Sequence, residues 1–487
     1  MSDARLKIGW AQADITPDEP VLLSGQFHAR VSEGVRDPVT ATALVLEQGG
    51  EHAVFVTCDL SGAYGELQEA VAGRVEQMAD GPQTARLAMS ATHTHAAPLT
   101  FSRLFRSGYG PPYTSGADLP VMDPADYVQF AAGRIAGAIA EAWDGRAEGS
   151  IAFGLGQAVV GRNRRWVDIH GNSTMYGNTD TSEFSHIEGY EDHSVNVLAT
   201  YDAAGALTGV IVNVPCPSQE TEHIYEISAD FWHETREQLR RRLGEDLFVL
   251  PQCSAAGDQS PHLIWGRREH ERMLELKGRD SREEIGHRIA DAVEEVLGCL
   301  GGTEDGSPVL EHRTIELSLP MRRLSEEDVR EAEAAAEQWR EKYEAERARL
   351  EADPAAREAP RWYTEVTKTF RRMHWHLGVR HRFEQQQNEP NLPVTLHVVR
   401  LGDVAIATNP FEYYLDFGIF IKVRSPAVQT FLVQLTGPGS YVPSARSVAG
   451  GGYGSVPASN PIGPEGGREV AEATIGALLE MWRADGD

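Results

Sequence analysis

The sequence predicts an α/β fold: mixed β-sheets with flanking helices and long site-forming loops, plus a helical hairpin insertion. Three observations point there. The first 160 residues alternate apolar strand-like runs with helix-like segments, and the last hundred do so again. Polar residues recur where strands end, at His93/His95, Cys216, Ser260 and Glu412, which is where α/β sheets gather their sites. Between the two α/β parts, charged sequence with Ala and Leu repeats at 325–351 and 361–387 flanks Asp353-Pro354, the pattern of an antiparallel helical hairpin.

The N-terminal part reads in order as strands over 40–47 and 53–57, the second ending in Cys58-Asp59-Leu60-Ser61-Gly62, then a helix over 66–78. The run Arg86-Leu87-Ala88-Met89-Ser90-Ala91 is a strand entering Thr92-His93-Thr94-His95-Ala96-Ala97-Pro98. In extended backbone, residues i and i+2 point the same way, so His93 and His95 are expected to face one site side by side. The alternative is two polar residues at a strand end, hydrogen-bonded to nearby backbone. Asp123-Pro124 opens a helix to about 143, with proline in the first turn. The 107–122 stretch, rich in Gly, Pro, Tyr and Ser, reads as a loop able to line a pocket.

The 160–194 block is polar, from Asn163-Arg164-Arg165 to His186 and His193, and reads as a surface excursion or a site-lining loop. A strand over 210–214 runs into Pro215-Cys216-Pro217-Ser218-Gln219, where two prolines fix the backbone. Ser228-Ala229-Asp230 caps a helix to about 243. A short strand at 247–250 leads to Gly257-Asp258-Gln259-Ser260-Pro261-His262, and a helix follows over 283–300. The hairpin reads mostly as a solvated arm, with His374-Trp375-His376 placed to reach a pocket or a partner subunit. Two strands span 394–407, Asn409-Pro410-Phe411-Glu412-Tyr413-Tyr414 opens a helix, and 429–435 is a strand. A glycine-rich loop over 437–467 holds Tyr441 and Tyr453, and a helix over 468–482 closes the chain.

Composition narrows the function. Hydrophobic residues make up 41% of the 487, ample for a core. The net charge of −27 argues against nucleic acid and anionic membrane as partners. No run of about eighteen apolar residues exists to span a bilayer. The N-terminus moves straight into a strand without a signal-peptide core, so a cytoplasmic location is expected. Cys58, Cys216, Cys253 and Cys299 are too widely spaced for a disulfide framework. The arm would suit a homodimer.

Taken in order, four of these segments resemble the neutral (non-lysosomal) ceramidases, zinc-dependent hydrolases of an N-acyl amide bond. Thr92-His93-Thr94-His95 with Pro98 resembles that family's Thr-His-Thr-His-Ser-Gly-Pro, and Gly257-Asp258-Gln259-Ser260-Pro261 its Gly-Asp-Val-Ser-Pro. Phe411-Glu412 resembles its Gly-Glu-Phe. Ser440-Tyr441-Val442, with Tyr453 beyond it, resembles its Gly-Tyr-Val-Thr-Thr and later tyrosine, and Asn163-Arg164 a further Asn-Arg pair. The resemblance implies His93, Glu412 and Tyr441 as zinc ligands. It implies His95 and Tyr453 near the scissile carbonyl, Ser260 as an active-site hydroxyl, and Asn163 and Arg164 as substrate contacts. Asp258 would orient Ser260 or a histidine. The catalytic region would span 1–320 and be completed by 391–487, with the hairpin inserted at 321–390.

Departures from the family are equally specific. Where it has a second zinc histidine, this chain has Cys216. That cysteine reads as a replacement ligand, as a nucleophile in a site without metal, or as a buried structural thiol; alternatively His223 supplies the imidazole. Ceramidases are secreted or membrane-associated and carry a C-terminal immunoglobulin-like domain, for which too few residues follow the last helix here. The expectation is therefore a zinc-dependent amidohydrolase acting on a small polar substrate, with Arg164 and Arg165 suited to a carboxylate or hydroxyl-rich ligand. The rivals are a catalytically retired binding protein on the same fold and a metal-free thiol hydrolase using Cys216.

Overall fold

The computed structural model describes residues 4–104, 110–111, 113 and 117–483. Two mixed sheets pack face to face, and helices cover both outer surfaces. The first sheet contains β1 (Lys7–Asp14), β2 (Thr40–Gln48), β3 (Glu51–Cys58), β4 (Leu87–Ala91), β5 (Ala147–Gln157), β6 (Ser194–Asp202), β7 (Leu207–Val214) and β8 (Phe248–Cys253). Its order is β8-β7-β6-β5-β1-β2-β3-β4. The second holds β9 (Leu310–Pro320), β10 (Asn391–Leu401), β11 (Val404–Thr408) and β12 (Gln429–Val433) in sequential order. Most neighbours are antiparallel, but β3/β4, β7/β8 and β11/β12 are parallel.

The strand residues explain this layering. In β3, Val54, Val56 and Cys58 join one core while Ala53 and Phe55 join another, the two-residue alternation of a strand buried on both faces. The inner core lies between the sheets, where Leu44, Leu46 and Ile211 meet Val399, Ile406 and Phe431. Outside the first sheet, α1 (Gly65–Val75) and α2 (Pro124–Asp144) cover one half. The other half is covered by α3 (Phe231–Leu243) and, beyond α4 (Arg267–Lys277), by α5 (Ser281–Leu297). Asp123 caps α2 by accepting from Ala125 N, with Pro124 in its first turn.

The hairpin consists of α6 (Glu326–Ala352) and α7 (Thr364–Gln385). It is less solvated than its composition suggests. One face of α7 is buried through Val366, Phe370, Met373 and Val379, and Tyr363 and Val366 pack with Leu22, Leu99 and Phe101. The apolar residues of α7 are diluted by Arg, Thr and His, which hides that face from a simple hydropathy reading. Part of the 107–122 loop lies outside the described residues.

Beyond the second sheet run α8 (Leu415–Arg424), α9 (Ala445–Gly450) and α10 (Pro464–Arg483), with α8 and α10 against the sheet. The segment before α8 differs from expectation. Glu412–Tyr413 is a short strand paired in parallel with Tyr441–Val442, and the helix begins only at Leu415. Glu412 N donates to Ser440 O and Tyr414 N to Val442 O, so long-range pairing overrides the local helix signal. Among the described residues, no helix is long and apolar enough to cross a membrane.

Candidate active site

The three parallel strand pairs end at neighbouring positions, and the polar loops that follow converge there. After β4, His93 leaves the strand with φ +66°, a left-handed conformation rather than the extended one expected from the His-x-His spacing. The two rings nevertheless meet, edge to face, with centroids 4.9 Å apart. His93 is buried, and its Nδ1–H donates to the Ser61 carbonyl at 2.6 Å. That orients the ring and turns Nε2 toward Glu412, 3.6 Å from its Oε2.

His95 is held as firmly. Its Nδ1–H donates to Glu222 Oε2 at 2.7 Å. Burial pulls the imidazole down to about 4 against the opposing pull of Glu222. Burial pushes the Glu222 carboxyl up, but the hydrogen bond from His95 wins and brings it to about 2. At neutral pH the pair is a carboxylate accepting from a neutral imidazole. Gly25, with φ +98°, lets the backbone pass so close that an added Cβ would stand 2.3 Å from His95 Cγ.

Glu412 and Tyr441 lie side by side on their paired strands, both buried. Gly257 packs beneath them, where a Cβ would fall 2.4 Å from the Glu412 carbonyl oxygen. Arg164 reaches in with a buried guanidinium. It donates to Tyr176 Oη at 2.8 Å, Gly257 O at 2.8 Å and Tyr441 Oη at 3.4 Å.

Ser260 Oγ is fully buried and receives hydrogen bonds from Gln219 Nε2 at 3.2 Å, Tyr176 Oη at 3.2 Å and His262 N at 3.1 Å. A hydroxyl has two lone pairs and one proton, so three donors more than fill its accepting capacity, two of them sharing a lone pair, and its proton is left to be given away. Tyr176 Oη itself accepts from Arg164 and from Gln219. A chain of polarised hydrogen bonds thus runs Arg164–Tyr176–Ser260. Tyr176 also has a left-handed backbone, φ +65°.

Other expected site residues point elsewhere. Asp258 accepts from Asn163 Nδ2 and from Leu415 N, both at 2.9 Å, so it braces the frame and starts α8 rather than orienting Ser260 or a histidine. Burial pushes its carboxyl up to about 6. Asn163 donates to Asp258 and Tyr190 O and accepts from Arg165 N, with its amide turned into the frame. Arg165 pairs with Glu188 at 2.9 Å and donates to the Tyr453 and Gly451 carbonyls at 2.6 Å. It anchors the glycine-rich loop, which leaves no guanidinium face for a ligand. The 160–194 block is therefore divided: Arg164, Arg165 and Tyr176 enter the site region, while the rest of 170–186 is mostly exposed.

Cys216 is the sharpest departure. Its loop is stitched to the histidine segment by Ser218 N donating to Thr92 O at 3.0 Å. The thiol, however, lies in the core cluster with Val214, Phe231 and Trp232, 3.4 Å from Pro217 O. Burial, then the neighbouring Cys253, pushes it well above its usual range. His223 is exposed. Among the described residues, no three of His, Cys, Asp and Glu stand close enough to hold a metal ion. The donors that do converge are His93 Nε2 and Glu412, with Tyr441 beside them. Tyr453, 5.5 Å from Tyr441 between ring centroids, completes that wall.

Glu222, Tyr176, Gln219 and Ser61 escaped the sequence reading. Glu222 neighbours His223, and Tyr176 lies in the polar block. Only the folded chain shows which residue of each segment turns inward.

No family model and no curated protein sequence matches the chain. Two solved structures do. A ceramidase complexed with C2 superposes with a TM-score of 0.68 at 16% identity, over 99% of this chain and 76% of that one. The neutral ceramidase from Pseudomonas aeruginosa gives 0.67 at 17% identity, over 97% and 74%. The fold is neutral ceramidase-like, in strongly diverged sequence.

Proposed function

We propose that this protein is a hydrolase cleaving the amide C–N bond of a small polar substrate, with a zinc ion held by His93, Glu412 and Tyr441. The observation that carries the reading is the approach of His93 Nε2 to Glu412 Oε2 at 3.6 Å, with both side chains buried. Two ligands on one tetrahedral zinc stand about 3.3 Å apart, so these atoms are spaced to share an ion. The Ser61 carbonyl on Nδ1 is the outer partner expected of a ligating imidazole. Three protein donors leave a fourth position open, the arrangement of catalytic rather than structural zinc. A zinc ion bound there would polarise a carbonyl and make water acidic near neutral pH.

The remaining residues divide the work. His95 Nε2 carries the lone pair that takes the proton of the attacking water and returns it to the leaving nitrogen as the C–N bond breaks. Glu222 keeps that ring oriented. The Ser260 proton, released by the donors on its oxygen, and the Tyr453 hydroxyl are the groups offered to the developing oxyanion. Arg164 keeps a fixed positive charge beside them. The fold likeness lends weight to amide chemistry, because both solved neighbours are ceramidases.

A retired binding protein remains the second reading, favoured by the Cys216 thiol lying in the core instead of among the ligands. A thiol hydrolase fits poorly: a buried thiol pushed upward lacks both access and thiolate character. Metal analysis of the purified protein, joined to a screen of small amides with and without chelator, tests the proposal. Zinc near one per chain and chelator-sensitive amide turnover are expected; a metal-free protein that turns over no amide leaves the binding reading.

A further inference from the structure

A cavity of about 420 Å³ opens from Glu412 and Tyr441 toward the helical hairpin. Its wall is a triangle of rings from three separate segments, Phe27, Trp375 of α7 and Tyr453. Their centroids lie 5.6, 6.0 and 5.8 Å apart. Leu104, Met321 and Leu392 add further apolar surface, and polar groups such as Glu389 and Asn391 stand among the remaining lining residues. The Arg372 guanidinium already lies 3.6 Å from the Phe27 ring centroid and 5.5 Å from that of Trp375. Arg372 thus already occupies the cation–π position on Phe27, and what the three rings still offer is edge and face contact to an uncharged ring.

From this geometry we infer that the cavity is the acyl subsite, that it takes a short, uncharged aromatic acyl group of the phenylacetyl kind, and that Trp375 selects it. The inference rests on the hydrolase reading for the word acyl. His95, Glu222 and His262 do not line the cavity. The leaving nitrogen must face His95 to receive its proton, so the amine lies on the anionic Glu222 side and the acyl group falls toward the rings. A cavity near the lower end of the small-molecule range holds one such group, not the two chains of a lipid. Trp375 is half-buried, so truncating it leaves the main cores intact.

The test is calorimetric titration of the full chain with phenylacetamide, acetamide and octanamide, on wild type, Trp375→Phe and Trp375→Ala. Phenylacetamide is expected to bind at least ten-fold tighter than acetamide and tighter than octanamide, which is apolar but has no ring. Trp375→Ala should weaken phenylacetamide about ten-fold and leave acetamide unchanged, and Trp375→Phe should retain most of the affinity. Equal affinities in the wild type, tighter octanamide binding, or an unaltered Trp375→Ala variant would overturn the subsite. Turnover of N-phenylacetyl-para-nitroanilide, followed separately, keeps the two readings apart. Ring-selective binding without turnover sinks the hydrolase and keeps an aryl pocket; turnover without ring selectivity does the reverse.

Discussion

His95 and Glu222, 127 residues apart in the chain, share a buried hydrogen bond of 2.7 Å that fixes which imidazole nitrogen faces the site. A carboxylate on Nδ1 both orients the ring and raises the basicity of Nε2. Glu222→Ala is expected to lower kcat about 10- to 100-fold on any amide the screen identifies, with KM within about two-fold. Glu222→Asp should recover part of the loss and Glu222→Gln less. A change in KM alone would place Glu222 in substrate binding and remove the positioning role.

Metal content separates the ligands. His93→Ala and Glu412→Ala should each lose the proposed zinc, measured by mass spectrometry on protein purified without added metal. Cys216→Ala should keep it, because the thiol is fully buried in the core cluster that also holds Val214, Phe231 and Trp232. Its cost should be one of packing, about 1 kcal/mol in a denaturant melt. Zinc lost from Cys216→Ala would mean that the thiol turns toward the ion when the ion is bound.

The α/β class and the strand ends were legible in the sequence because they are local. Asp123-Pro124 announces a helix start, and the alternation in 53–57 announces a strand. What stayed hidden depends on partners far along the chain. Glu412 reads as the mouth of a helix until Tyr441 pairs with it. His93 reads as extended until its backbone turns left-handed to reach the Ser61 carbonyl. Cys216 carries the chemistry of a ligand, and only the folded chain shows that its thiol is buried in the core that α3 helps to build. The division of the four layers was likewise unreadable, since runs buried on both faces do not say which sheet lies opposite.

His312 and His397 give the protein an acid-sensitive seam. Nε2 of one lies 3.0 Å from Nδ1 of the other between β9 and β10, both buried. Burial lowers His312 to about 3 and His397 to about 4, with Arg86 and, for His312, His52 nearby. In the unfolded chain these imidazoles take up protons below about 6.5, while in the fold they stay neutral. Stability is therefore fully present above pH 6.5 and lost as pH falls toward the folded values. The loss between pH 7 and 5 should be about 2 kcal/mol for each imidazole. Denaturant melts of the wild type and of a His312→Leu/His397→Leu double variant check this; parallel pH slopes would remove the seam as the cause.

Tyr176 tests the hydrogen-bond chain into the site. Its hydroxyl accepts from Arg164 at 2.8 Å and donates to Ser260 at 3.2 Å, so Tyr176→Phe cuts the chain without opening a large cavity. Arg164 keeps Gly257 O as a partner but loses its shortest side-chain contact. A stability loss of about 1–3 kcal/mol is expected from the under-partnered buried cation. If the Ser260 proton serves the transition state, kcat should also fall about ten-fold or more while KM holds. Ser260→Ala in the Tyr176→Phe background should then cost little further, since both changes silence the same donor. Additive losses would mean that Ser260 acts independently of Arg164 and Tyr176, and the relay would have to be abandoned.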